Sequence, residues 1–142
     1  MIVRTLGKYL DVVSVNYYTA TTIAPDFISE ISALAGDKPV LLSEWSYGTP
    51  ERGHTGGIHN VNTQAERGRF YARYVRDAVK HPAVVGAHWY EYVDQAVTGR
   101  YVGGDRAERC NAGLVDIADH PYYDFLGLVI KANHHIYKSI TP

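Results

Sequence analysis

Apolar and polar positions follow two rhythms along this chain. In DVVSVNYY (Asp11–Tyr18) β-branched and aromatic residues run together with a two-residue period, which predicts a strand. APDFISEISALAG then sets Phe27, Ile28, Ile31, Leu34 and Ala35 at helical spacing, with Pro25 near the start and Gly36 at the end. PVLLSEW (Pro39–Trp45) predicts a second strand, followed by a glycine-rich loop, SYGTPERGHTGGIHNVN. Thr63-Gln64-Ala65-Glu66 has the form of a capping box, in which the threonine and glutamate side chains satisfy free backbone donors at a helix start. The helix it opens carries Phe70, Tyr71, Tyr74, Val75 and Ala78 on one face and ends before Pro82. AVVGAHWYEY (Ala83–Tyr92) is a third predicted strand. A long loop, VDQAVTGRYVGGDRAERCNAGLVDIADH, leads to a last helix within YYDFLGLVIKANHHIYKSI (Tyr122–Ile140).

Strand followed by helix, three times over, predicts an α/β fold of parallel βαβ units. The loops leaving the strands are long and the returns from helix to strand are short. Sites in such folds sit on the loops at the C-terminal strand ends, which places Tyr18, Glu44 and Trp89 at one edge of one sheet. Three units are too few for a closed (β/α)8 barrel, which takes about 250 residues and eight strands. An open three-stranded sheet leaves two bare edges. The expectation is a chain that forms part of something larger.

Strict alternation would put Ser14, Asn16 and Tyr18 on one face, Val40, Leu42 and Glu44 on another, and Val85, Ala87 and Trp89 on a third. If those faces share an interior, a phenol, a carboxylate and an indole converge. That set suits cleavage of a sugar: the carboxylate attacks the anomeric carbon, the phenol orients it, and the indole stacks on the ring. Plainer uses compete at each position. Glu44 would serve as a solvated strand tip and Trp89 as core packing, and Tyr17 replaces Tyr18 if the register slips by one residue.

The 142 residues suffice for one domain, 1–142, with its own core. Hydrophobic content of 46% and charged content of 20% are those of ordinary globular chains. Fourteen basic against fifteen acidic residues leave no basic footprint for nucleic acid. No apolar run approaches the roughly 20 residues that span a bilayer, and the N-terminal apolar stretch is too short for a signal peptide, so no membrane partner is predicted. Cys110 stands alone and reads as a free structural thiol. Twelve tyrosines suit sugar-binding surfaces and ordinary cores alike.

Seven histidines raise the question of a metal. His54 and His59 share a loop, but His134 and His135 are helical neighbours that point apart. No cysteine or carboxylate completes a set at ligand spacing, so no metal is predicted. YVGGD lacks the setting and the lysine of a phosphate loop, and no G-x-S-x-G elbow is present. Asp116 and Asp119, in GLVDIADH, read as a structural turn.

Three motifs together carry a resemblance. DVVSVNYY, PVLLSEWSYG and VVGAHWYEYVDQ resemble strands six, seven and eight of a retaining glycoside hydrolase with a (β/α)8 TIM barrel, of the β-agarase and β-porphyranase type within the β-galactosidase-like barrels. NAGLVDIADHPYYDF resembles the segment after the eighth strand. The likeness runs from about Gly7 to about Tyr137. It implies an incomplete barrel comprising the last three βα units. It implies that Glu44 is the nucleophile, that Tyr18 is its hydrogen-bonding tyrosine, and that Trp89 is the sugar platform. Asn16, His54, Glu91, Asp94 and Gln95 become candidates for lining the same cleft. The resemblance implies no cofactor.

One departure from the pattern matters. The general acid/base of that group is a glutamate after an asparagine at the end of strand four, and this chain has no Asn-Glu pair. The expected function is therefore the nucleophile half of a hydrolase cleaving β-galactosidic linkages in a galactan-like polysaccharide. The missing barrel half or self-association would cover the sheet edges. The resemblance implies that complete enzymes of this type are secreted or periplasmic, and leaves the location of this chain open. The alternative is an inert fragment that keeps carbohydrate contacts through Trp89, Tyr90 and Tyr92.

Overall fold

The computed structural model describes residues 2–54, 57–99 and 108–139. Three parallel strands, β1 (Val13–Asn16), β2 (Val40–Trp45) and β3 (Val84–Trp89), form one sheet in chain order. The helices are α1 (Ile2–Leu6), α2 (Pro25–Leu34), α3 (Gln64–Val79) and α4 (Tyr123–His135). The strands are shorter than their apolar runs, β1 ending at Asn16 and β3 at Trp89, although the Tyr17 and Tyr90 amides still donate to the Glu44 and Trp45 carbonyls of β2. A 3-10 turn, Ile136–Ser139, continues α4, while Ile140 lies outside the described residues. The short α1 has no counterpart in the predicted elements.

The start of α3 shows how local chemistry fixes a boundary. Thr63 Oγ1 accepts from the Glu66 amide at 3.1 Å, as a capping box requires. The Glu66 carboxylate reaches one residue further back than the pattern implies and takes the Asn62 amide at 2.7 Å. Glu51, arriving from the loop after β2, accepts from the Gln64 amide. These acceptors satisfy donors that the first helical turn leaves free, and they tie α3 to the loop before it.

α3 and α4 pack on one another, and the contact is close at Gly68. A Cβ there would lie 2.6 Å from Leu128 Cβ. The core lies between these helices, α2 and one face of the sheet, with Val40, Leu42, Trp45, Ile28 and Phe125 almost wholly buried. Trp45 stacks on Tyr74 with ring centroids 3.7 Å apart, and Tyr47, Tyr71, Trp89 and Phe125 surround the pair. The opposite sheet face is open at Ser14, Asn16, Val85 and His88.

This packing corrects the expected sharing of faces. Val40 and Leu42 lie against the helices, not on the face of Ser14 and Asn16. Their β1 partners are Val13 and Val15. In β3, Ala87 and Trp89 join the core while Val85 is 60% exposed. A register shift at Gly86 separates Val85 from the other two.

Burial raises the pKa of Tyr47, Tyr71 and Tyr74 above the ordinary 10.0, since a phenolate loses its hydration in the core. Nearby Arg73 partly opposes this at Tyr47, as does Asn133 at Tyr71. Above 10.0 the unfolded chain releases phenol protons that the folded chain retains. Stability is therefore full below that value and falls as pH rises past it. Urea unfolding at about pH 9 and about pH 11 is expected to show a lower midpoint at the higher pH, and equal midpoints would refute the assignment.

Candidate active site

An extra residue in β2 decides where Glu44 points. Val15 of β1 faces Leu42, and the next residue, Asn16, faces Glu44. On the other side Leu42 pairs with Ala87 and Trp45 with Trp89, three steps in β2 against two in β3. The strand therefore bulges between Leu42 and Trp45, and two residues, Ser43 and Glu44, fill the gap between two core side chains. Beyond the bulge the alternation resumes in a new phase. Trp45 and Tyr47 are buried in the core, whereas Glu44 and Ser46 line a cleft of about 320 Å³ on the far side.

Tyr18 meets Glu44 in that cleft. Its hydroxyl donates to Glu44 Oε1 at 2.7 Å. Tyr17 turns the other way: it packs on Phe27 at 5.0 Å, and its hydroxyl accepts from the Ala24 amide. The Tyr74 hydroxyl caps the Tyr17 carbonyl at 2.8 Å, which holds this segment against α3. Burial, with the Glu44 carboxylate next in effect, holds the Tyr18 phenol far above its usual pKa. A phenol kept neutral in this way remains a hydrogen-bond donor to the carboxylate across the working pH range.

The remaining candidates divide. Gln95 lines the cleft, its carbonyl accepting from the Cys110 amide at 2.8 Å. Glu91 is half-buried nearby. Burial raises its pKa, a hydrogen bond with Gln95 opposes the rise, and Glu108, Asp94 and Glu44 add to it. Asn16 sits beside Glu44 in register, with its side-chain carbonyl accepting from Ser43 at 3.2 Å.

Three candidates are placed elsewhere. Trp89 is packed among Trp45, Tyr71 and Phe125, and its indole donates to the Ala112 carbonyl at 2.8 Å. Its ring packs against the core, and the aromatic residue that lines the cleft after β3 is Tyr90. His54 is buried, with Nδ1 3.2 Å from the Arg109 carbonyl and Nε2 3.6 Å from Asp94, so both ring nitrogens face protein partners. Asp94 is itself 4% exposed and accepts from the Asn111 side chain, the Gly113 amide and the Tyr122 hydroxyl. It is structural. The YVGGD segment, Tyr101–Asp105, lies outside the described residues. Asp116 forms the expected turn, accepting from the Ala118 and His120 amides, and these bonds lower its pKa.

The element that sequence reasoning missed is Arg67. This arginine is fully buried, donating to the carbonyls of Tyr47 and Gly113 and to the side chains of Gln64 and Asn111. Its guanidinium lies 4.4 Å from the Phe125 ring centroid. Burial lowers its pKa to about 10, against the opposing pull of Asp94. The signal was there: Arg67 stands four residues before Tyr71 and seven before Tyr74, on the apolar face of α3.

Arg67 and Asp94 fasten the loop after β3 and the start of α4 to α3. The two side chains are joined through Asn111, which accepts from Arg67 and donates to Asp94, so removing either strands the other's charge and hydrogen-bonding groups in the interior. Asp94→Ala is expected to lower unfolding free energy by about 3–5 kcal/mol, measured by urea denaturation. A loss near that of an ordinary surface substitution would show that the network carries no such load.

No family model matches the chain. The chain is homologous to β-agarases. It is 33% identical over 137 residues to β-agarase B of Vibrio sp. (strain JT0107), covering 96% of this chain and 14% of that protein. It is 32% identical to β-agarase A of the same strain over 126 residues, 85% of this chain and 12% of the relative. The structure of an exo-β-agarase superposes with a TM-score of 0.85 at 33% identity, over 99% of this chain and 18% of that one. The chain thus spans about one seventh of the curated relatives it matches.

Proposed function

We propose that this chain supplies the nucleophile half of a retaining glycoside hydrolase acting on β-galactosidic linkages of an agarose-like galactan. The single observation that carries the reading is the 2.7 Å hydrogen bond from Tyr18 to Glu44, inside a cleft at the C-terminal end of a parallel sheet. Homology to β-agarases supports the substrate class.

Glu44 attacks the anomeric carbon, forming a glycosyl ester as the bond to the leaving oxygen breaks. A carboxylic acid from outside this chain protonates that oxygen, and water then cleaves the ester. Tyr18 orients the attacking oxygen, while Tyr90 and Gln95 line the space the sugar enters. In this reading the three βα units are the last three of a (β/α)8 barrel. The open sheet face, and the groove of about 490 Å³ along β3 lined by Val84, Val85 and Ile136, receive the remaining units. Parallel sheets are ordinarily covered on both faces, which favours such completion.

An activated substrate tests Glu44 without needing the missing acid. With 2-deoxy-2-fluoro-β-galactosyl fluoride, the Glu44 oxygen bonds to the anomeric carbon and fluoride leaves unprotonated. Mass spectrometry is expected to find the sugar on the Glu44 peptide of the wild-type chain and not in Glu44→Gln. Tyr18→Phe should label about ten- to a hundredfold more slowly, the loss of one hydrogen bond to a charged group. Absence of label in the wild type, or equal labelling of Glu44→Gln, overturns the nucleophile assignment. Sugar binding without label would indicate an inert carbohydrate-binding chain.

A further inference from the structure

We propose that Glu108 is a substrate-recognition residue of the cleft: its carboxylate accepts hydrogen bonds from sugar hydroxyls, and its charge favours neutral galactosyl units over those carrying a sulfate ester. The inference rests on the reading of this cleft as the sugar site and deepens it. Glu108 lines the cavity that holds Glu44 and Tyr18.

Gln95, itself 5% exposed, fixes where Glu108 stands. The Cys110 amide can only donate, so Gln95 turns its side-chain carbonyl toward it, at 2.8 Å. The nitrogen of the same side chain then faces the Glu108 carboxylate and donates to it at 3.4 Å. The Gln95 main-chain amide donates to the Cys110 carbonyl at 3.3 Å, so one residue holds this segment by both side chain and backbone. Two residues beyond Cys110, the Ala112 carbonyl accepts from the Trp89 indole and the Glu91 amide. Glu108 is therefore exposed at the cleft on a segment tied to β3 and to the loop after it.

An ionised carboxylate accepts at about four lone-pair sites, and the bond from Gln95 uses one of them. Sugar hydroxyls are donors, and adjacent hydroxyls on a ring match the two oxygens of one carboxylate. Bonds to a charged acceptor are the stronger kind. Charge also sets the class of sugar. Among the described residues that line the cleft, the charged ones are Glu44 and Glu108, both acidic. Glu91 registers the same field: besides burial, Glu108, Asp94 and Glu44 push its pKa up. A sulfated ring entering here meets two like charges where a neutral ring meets two acceptors.

Sugar binding to the full chain, followed by NMR titration, tests this apart from catalysis. Methyl β-galactoside should bind Glu108→Gln about tenfold more weakly than the wild type, the loss of a hydrogen bond to a charged group. The urea midpoint should not change, because the side chain is exposed. At least one of the 2-, 3-, 4- and 6-deoxy analogues should lose affinity for the wild type and lose none for Glu108→Gln. Methyl β-galactoside 6-sulfate should bind the wild type about tenfold more weakly than the neutral sugar, a gap that narrows in Glu108→Gln. Equal affinity of both chains for the neutral sugar, a sulfate gap unchanged by the substitution, or no binding to the wild type overturns the role of Glu108. The first of these with Glu44 still labelled by the fluorosugar leaves the nucleophile reading standing. A wild-type chain that binds galactoside through Glu108 yet takes no label removes the nucleophile reading and keeps the recognition role.

Discussion

The buried network that joins Arg67 to Asp94 through Asn111 is the constraint on which the cleft depends. Arg67 projects from α3 and donates to main-chain carbonyls at the end of β2 and in the segment before α4. Asp94 gathers donors from Asn111, Gly113 and Tyr122, the last at the N-terminus of α4. Two charges are brought into the interior at a desolvation cost that only dense hydrogen bonding offsets. The consequence is positional. Gln95, Cys110 and Ala112, which line the cleft opposite Glu44, each adjoin a member of this network in sequence. The cleft wall is thus anchored from the core outward, on side chains that never reach the cleft.

The second organising feature is a change of phase in β2. A strand that alternated strictly from Val40 would carry Glu44 into the helix-packed core, where an unpaired carboxylate is expensive. The bulge between Leu42 and Trp45 spends one residue to avoid this. It delivers Glu44 and Ser46 to the cleft and Trp45 and Tyr47 to the aromatic core. Cleft-lining and core-packing side chains are interleaved residue by residue along Glu44–Tyr47. Trp45, sandwiched against Tyr74, therefore holds the backbone on which Glu44 is presented.

Local signals were read well where they involve only neighbours in sequence. The helical stripe from Phe70 to Ala78, the cap at Thr63 and the apolar run from Val40 to Leu42 each appear as expected. Of the two adjacent tyrosines, Tyr18 is the one that faces Glu44, as strand alternation favours. The misplaced residues share a cause. Trp89, His54 and Asp94 lie near the cleft in sequence, and polarity or aromaticity made each a plausible lining group. Their partners are Phe125, Arg109, Tyr122 and Asn111, distant in sequence, and nothing in local spacing reveals them.

The amino-acid order by itself determined the alternation of strand and helix, the helix boundaries and the presence of a carboxylate and a phenol at neighbouring strand ends. Those properties follow from backbone propensity and from periodicity, which act over a few residues. Which face of the sheet each side chain occupies was decided only in three dimensions. A bulge is defined by the register of two strands, and a buried arginine is tolerated only once carbonyls and a carboxylate from remote segments surround it.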